Sequence, residues 1–179
     1  MGYCLTWFAV KGKSPEVVRA ELGVRCTGEH VSYPAPRIAG ADLPNGWYLV
    51  QCSGYECQED GVYTRLSAGC EVISLFVEEH VMVSRVSRWK DGKRLWSVVY
   101  DSVKGDEHLE ADGDVPSDFV VNRDKVRAKA DAGVGDYFDI PCRLATTLTG
   151  YRYDAPAKER VISSFEVLTR LSWLRRLFG

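Results

Sequence analysis

The chain has 179 residues, of which 45% are hydrophobic and 27% are charged, and its formal net charge is −2. This length suits one domain with a substantial core, and the composition excludes a disordered chain and a strongly basic nucleic-acid binder. No stretch reaches the roughly 18 uninterrupted apolar residues of a membrane-spanning helix. Residues 1–10 also lack the basic start and cleavage site of a signal peptide.

The first elements in chain order are a strand and a helix. Residues 4–10 form an apolar run that is typical of a buried strand. Ser14 and Pro15 are a helix cap and a first-turn proline, and Gly23 predicts the end of that helix. Residues 25–45 are predicted to form a surface connection, residues 46–52 a second strand and residues 62–68 a short helix.

The centre of the chain predicts an antiparallel meander. Residues 71–77 are almost entirely apolar, and Asp91 with Gly92 suits a two-residue hairpin turn between two further strands. A second turn at Gly105 returns the chain, and helices are expected over residues 118–131 and 139–148. We therefore predict an α+β fold in which helices pack on one face of a largely antiparallel sheet with a central β-meander.

Residues 155–179 are predicted to form an amphipathic helical tail beyond a single α+β domain of residues 1–154. Its apolar positions recur at helical spacing, as Val161, Ile162, Phe165, Leu168 and Leu174. The expected role of this apolar stripe is to cover the domain or another subunit. A membrane surface is the alternative partner for a basic amphipathic helix, but Glu159 and Glu166 interrupt the basic face.

The six cysteines carry no paired CxxC spacing, and several lie in apolar runs where cysteine packs as a small hydrophobe. We therefore expect a reduced, cytoplasmic protein without a disulfide. Cys52 and Cys57 are the cysteines closest to polar sequence, but neighbouring acidic residues disfavour a thiolate nucleophile at either position.

Glu78, Glu79 and His80 form the densest cluster of candidate acid–base or metal-binding groups. On a strand, Glu78 and His80 share one face while Glu79 points to the other. Two ligands do not make a metal site, so we predict no metal and no cofactor. A small enzyme or ligand-binding domain built around Glu78 and His80 is the alternative function, although no phosphate loop, nucleophile elbow or dinucleotide motif accompanies it.

The hairpin around Asp91 predicts a surface rich in tryptophan and arginine. With a two-residue loop, Trp89 lies opposite Arg94, and Trp96 lies opposite Ser87 on the same face. Such residues are enriched at protein interfaces. A second interpretation turns part of this face toward the core, namely Trp96, Val98 and Tyr100.

Charge is distributed unevenly along the chain. Residues 101–150 hold eleven acidic and six basic residues, a balance of −5, whereas residues 151–179 have a balance of +3. An acidic surface steers a basic protein partner and disfavours nucleic acid, although a solvated acidic face with no partner has the same composition. The acidic candidates for partner binding are Asp101, Asp106, Glu107, Asp112 and Asp114.

Seven segments of the chain are distinctive: CLTWFAVKGKSPEVVRAELG (4–23), GWYLV (46–50), LSAGCEV (66–72), VEEHVM (77–82), LWSVVYD (95–101), YFDIPCRLATTLTGYRYD (137–154) and WLRRLFG (173–179). Together they resemble a family of small, uncharacterised bacterial cytoplasmic proteins. The resemblance supplies no catalytic residues. In general character the chain is similar to immunity proteins, which neutralise bacterial toxins. The expected function is therefore binding of a cognate protein toxin or another protein, in an oligomeric state that the sequence leaves open.

Overall fold

The structure is a computed structural model that describes residues 2–33, 38–55, 57–130 and 136–171. Within these ranges the strands are β1 (Cys4–Lys11), β2 (Val24–Val31), β3 (Ile38–Asp42), β4 (Tyr48–Ser53), β5 (Glu71–Glu78), β6 (Val83–Lys90), β7 (Lys93–Asp101), β8 (Leu109–Gly113) and β9 (Phe165–Arg170). The helices of the same ranges are α1 (Pro15–Leu22), α2 (Asp60–Leu66), α3 (Ser117–Ala130) and α4 (Asp139–Thr149). Two 3₁₀ turns cover Ser102–Lys104 and Ala157–Glu159.

The nine strands of the described residues form one sheet in the order β2-β9-β3-β4-β1-β5-β6-β7-β8. All neighbouring pairs are antiparallel, so the predicted α+β class and the central meander are confirmed. The turn between β6 and β7 has positive φ at Asp91 (49°) and Gly92 (77°), as the two-residue hairpin requires. Strands β5 to β8 therefore follow each other both along the chain and across the sheet.

The first helix begins and ends where the capping residues predict. The Ser14 hydroxyl accepts a hydrogen bond from the Val17 amide, and Pro15 begins α1. Gly23 ends the helix with φ of 65°, a left-handed conformation that suits glycine. At α4, Phe138 precedes the helix, so Asp139 lies in its first turn rather than at the cap.

The sheet is covered by helices on both faces. Along β1, Trp7 and Ala9 belong to the core beneath α3 and α4, whereas Phe8 and Val10 belong to the core beneath α1 and α2. Side chains alternate between the two faces of a strand, so β1 contributes to both cores. The prediction that helices pack on one face of the sheet fits α3 and α4 only. The two shorter helices, α1 and α2, pack on the opposite face.

Residues 25–45 do not form the predicted loop, because most of β2 and all of β3 lie within them. β3 pairs with both β4 and β9, and β2 pairs with β9. The proline-rich part of the segment, residues 34–37, lies outside the described residues. Short strands with weak local signals are stabilised here by partners that are distant in sequence.

The predicted C-terminal helix is also wrong for the part of it that the structure describes. Phe165–Arg170 is a strand, β9, which lies between β2 and β3. Phe165 pairs with Val31, and Leu168 pairs with Cys26 and Ile38. Residues 172–179, which include the predicted Leu174, lie outside the described residues. Among the described helices, none has the length and apolar character needed to cross a bilayer.

The expectation of six free thiols is wrong, because Cys52 and Cys57 form a disulfide. The bridge joins β4 to the loop that follows it, in which Gly54 has φ of 61° and Cys57 has φ of 70°. These left-handed residues turn the chain back on itself and bring together two cysteines that lack CxxC spacing. Cys4, Cys26, Cys70 and Cys142 are free.

Replacing Phe165 by alanine should destabilise the protein by about 3–5 kcal/mol, since this fully buried ring anchors β9 in the core. Val161→Ala is the control, because Val161 is exposed in the same segment and its loss should change the free energy of unfolding by less than about 0.5 kcal/mol. Urea denaturation monitored by circular dichroism measures both. Equal stabilities of the two variants would contradict the placement of β9.

Thiol counting tests the disulfide. Protein unfolded without reductant should present four reactive thiols, and reduction before labelling should raise the count to six. In the folded protein, Cys70 and Cys142 should label slowly because both are buried. A count of six thiols without reductant would show that the bridge does not form.

Candidate functional site

The predicted acidic residues lie along one edge of the sheet. Asp101 ends β7 and caps the following 3₁₀ turn, where its Oδ1 accepts a hydrogen bond from the Val103 amide at 3.0 Å. Asp106 and Glu107 lie in the turn before β8, Asp112 lies within β8, and Asp114 follows it. All except the half-buried Asp101 are exposed. The five acidic residues that the sequence singled out therefore lie on β8, beside either end of it, or at the end of the adjoining strand β7.

Glu110 is a sixth member that sequence reasoning missed. It lies in β8 two residues before Asp112, so alternation places the two side chains on the same face. Its Oε1 lies 2.9 Å from Lys104 Nζ and 2.8 Å from His108 Nε2. The hydrogen bond from Lys104 is the main cause of the lowered pKa of Glu110, and the same contact raises the pKa of Lys104.

These six residues are here called the acidic edge: Asp101, Asp106, Glu107, Glu110, Asp112 and Asp114. The segment that carries them, residues 101–114, contains one basic residue, Lys104. Among the described residues, Asp106 and Asp114 form no ion pair, and Asp112 pairs with Arg94 at 3.2 Å. The acidic edge therefore retains a clear excess of negative charge in water.

The predicted contact between Trp89 and Arg94 is confirmed. The two residues pair across the hairpin, and the Arg94 guanidinium lies 5.9 Å from the centre of the Trp89 ring. Arg94 also lies 3.6 Å from Asp60 and 3.2 Å from Asp112. Trp89 itself is only 5% exposed, because it packs into the core beneath α1 and α2.

The predicted pairing of Trp96 with Ser87 is wrong. The register shifts between Arg88 and Trp89, so Trp96 lies opposite Arg88 and Ser87 lies opposite Ser97. A one-residue shift moves a side chain to the other face of a sheet. Trp96 is consequently 2% exposed in the core beneath α3 and α4, on the face opposite Trp89. The second interpretation, with Trp96, Val98 and Tyr100 in the core, is the one the structure confirms.

Gly113 accompanies this irregularity on the neighbouring strand. It pairs with Trp96 and has φ of 81°, and a Cβ at this position would meet the backbone of Leu95 and Trp96. A glycine within a strand often marks such a close approach. A glycine at position 113 is therefore the feature of the sequence that could have indicated the irregularity at Leu95.

Glu78 and His80 converge at the end of β5 as predicted, but His80 lies in the turn that follows the strand, so strand alternation is not the cause. The buried Glu78 carboxylate accepts a hydrogen bond from the His80 backbone amide at 3.1 Å, and its Oε1 lies 2.6 Å from His80 Nδ1. The Cys4 thiol is the main cause that lowers the pKa of Glu78 to about 2. Burial, followed by the hydrogen bond to Glu78, raises the pKa of Cys4 to about 11. Cys4 is therefore a neutral donor at pH 7 and not a thiolate nucleophile.

Glu79 points away from this pair. Its carboxylate accepts hydrogen bonds from the Tyr153 hydroxyl at 2.8 Å and the Tyr3 amide at 2.9 Å. Among the described residues, no three His, Cys, Asp or Glu side chains are placed to hold a metal ion. His30 lies on β2 and His108 beside β8, so neither joins the Glu78 cluster.

An open polar cleft of about 420 Å³ lies between the end of β5 and α4. Arg152 lines the cleft and pairs with Asp139 at 2.7 Å and with Asp154 at 2.6 Å. Arg143 also pairs with Asp139 from within α4. Asp139 and Asp154 therefore have their ion-pair partners within the protein. The pair of Arg152 with Asp139 joins α4 to the segment that follows it.

No family model matches the chain, and no match is found among curated proteins or solved structures. The resemblance to a bacterial cytoplasmic family is therefore still an expectation.

Acid titration should reveal the contribution of Glu78 to stability. Its folded pKa of about 2 lies below the ordinary value of 4.5, so its ionised form stabilises the fold above pH 4.5. That contribution is lost as the pH falls through about 2. Glu78→Gln should therefore flatten the pH dependence of the free energy of unfolding across this window, as measured by urea denaturation.

The matched control is Glu29→Gln, which alters an exposed carboxylate on the distant strand β2. It should retain the wild-type pH dependence. If Glu78→Gln and wild type lose stability in parallel between pH 5 and 2, Glu78 has no such stabilising contacts.

Proposed function

We propose that this protein is an interaction module, an immunity-type inhibitor that neutralises a cognate bacterial toxin by binding it through the acidic edge. The single observation that supports the proposal most strongly is the concentration of six carboxylates, five of them exposed, along one edge of the sheet. Immunity proteins act by occupying a toxin surface, and this role requires a rigid charged face rather than a catalytic centre.

Electrostatics gives the acidic edge its proposed role. Complementary charge raises the rate at which two proteins meet, by roughly tenfold or more at low ionic strength. Because the carboxylates lie on a strand and an adjoining turn anchored by a hydrogen bond from the Tyr100 hydroxyl to the Asp106 carbonyl, their positions are held before binding. A basic protein surface is the partner that this arrangement favours over nucleic acid.

Arg94 links the acidic edge to the core. Its side chain is 40% exposed and contacts both Asp112 and the Trp89 ring. Trp89 and Trp96 were predicted as partner contacts, but their burial gives them a supporting role beneath the strands that carry the surface. The proposed contact set is therefore the acidic edge together with Arg94.

The alternative function is a small enzyme or ligand-binding domain that uses Glu78 and His80. The observation in its favour is the contact from Glu78 to His80 Nδ1, which orients an imidazole that is 62% exposed. A general base of this kind needs a nucleophile or substrate within hydrogen-bond reach of Nε2. The neighbouring Cys4 contacts Glu78 instead, so the acidic edge has the stronger support.

A cytoplasmic location is part of the proposal, and so is membership of a small bacterial protein family. Disulfides are rare in the cytosol and persist in oxidising compartments. The Cys52–Cys57 bridge is therefore the observation that argues against this location. Thiol counting on protein isolated in the presence of a thiol-blocking reagent decides between the cytosol and an oxidising compartment.

Charge reversal tests the proposed interface. In cells that express a cognate toxin, wild-type protein should restore growth. Asp112→Lys with Asp114→Lys should weaken protection and slow association by on the order of tenfold at low salt, because steering is lost. Colony counts and surface plasmon resonance measure the two effects.

The matched control reverses Asp118 and Asp124 to lysine, since these exposed carboxylates on α3 lie outside the acidic edge. This variant should protect as wild type does. Glu78→Gln and His80→Ala should also protect. Loss of protection in the Glu78 and His80 variants alone, with folding intact by circular dichroism, would overturn the interface proposal in favour of the alternative.

A further inference from the structure

The two edges of the sheet differ in a way that bears on binding. β2 forms one edge, and its register with β9 shifts between Cys26 and His30 around Gly28, whose φ is 84°. Such an irregularity twists an edge strand and hinders further pairing. β8 forms the other edge, and its five residues pair with β7 in unbroken register. β8 is thus the regular edge of the sheet.

The backbone of β8 is open on its outer side. Asp114 donates its amide hydrogen to the Leu95 carbonyl at 3.2 Å, which sets the alternation of the ladder between β7 and β8. By that alternation, the N–H and C=O groups of Leu109 and Ala111 point away from β7. In the part of the chain that the structure describes, no strand pairs with β8 on this side.

The side chains of β8 determine which strand fits beside it. Glu110 and Asp112 project from the same face, with 52% and 73% of their side chains exposed. In an added strand, the directly opposed side chains lie about 4.5–5.5 Å away. A second copy of β8 would place carboxylates against carboxylates, whereas a strand with alternating lysine or arginine would place cations there.

We propose that β8 receives an extended basic segment of the partner protein as an additional strand of the sheet. This inference rests on the proposed function, because it names the binding mode of the same surface. The outward N–H and C=O groups of Leu109 and Ala111 form the new ladder, and Glu110 with Asp112 selects basic side chains. Main-chain hydrogen bonds supply affinity and the alternating charges supply specificity.

A short peptide makes this binding mode measurable without the toxin. The probe is a capped heptapeptide in which lysine alternates with valine or threonine. At low salt it should shift the amide resonances of Leu109 and Ala111 and slow their hydrogen exchange. The same peptide with glutamate in place of lysine should not bind.

Backbone methylation of the probe separates strand addition from charge attraction. A peptide N-methylated at the residues that face β8 keeps every charge but loses its ladder hydrogen bonds, so its affinity should fall by about tenfold or more. Equal affinity of the methylated and unmethylated peptides would overturn the proposal. That outcome leaves the charge-reversal result with the toxin unaffected, so the two proposals fail separately.

A protein variant provides a second arm. Ala111→Pro removes one outward N–H at an edge position that tolerates proline, and it should abolish slowed exchange at Leu109. Ala111→Thr keeps the N–H and is the matched control. If Ala111→Pro does not fold, the methylated peptide decides. Concentration-dependent dimerisation of the wild-type protein, lost in Ala111→Pro, would identify a second copy as the occupant and overturn the proposal.

Discussion

Burial of β1 on both faces is the constraint on which the rest of the structure depends. From Leu5 to Val10 every residue is buried, with β4 on one side and β5 on the other. A central strand that is apolar on both faces requires a cover on each, and α1 with α2 and α3 with α4 provide the two covers. From β1 the sheet extends through β4 to β2 on one side and through β5 to β8 on the other.

Elements whose signals are local were predictable from the sequence. The cap at Ser14, the left-handed Gly23 and Gly150, and the turn at Asp91 each determine a boundary through residues within a few positions. The apolar runs of β1 and β5 are long enough to identify buried strands. These features account for the predicted class and for the central meander.

β9 was not predictable in the same way, because two spacings coincide in it. Phe165 and Leu168 are three residues apart, which in a helix places them on one face. In a strand an odd separation places them on opposite faces, and here Phe165 fills one core while Leu168 fills the other. The strand forms because β2 and β3 both offer a free edge on which β9 can pair. Residues 165–170 by themselves do not reveal these pairing partners.

The candidate site combines a predictable charge pattern with an unpredictable register. The acidic residues were identifiable because their number and spacing are written in the sequence, whereas the face on which Trp96 lies depends on one extra residue in β7. The two rings are consequently buried in different cores, Trp89 beneath α1 and α2 and Trp96 beneath α3 and α4. The aromatic residues that were predicted to contact a partner therefore belong to the packing of the sheet, whereas Arg94 and most of the acidic edge lie on its surface.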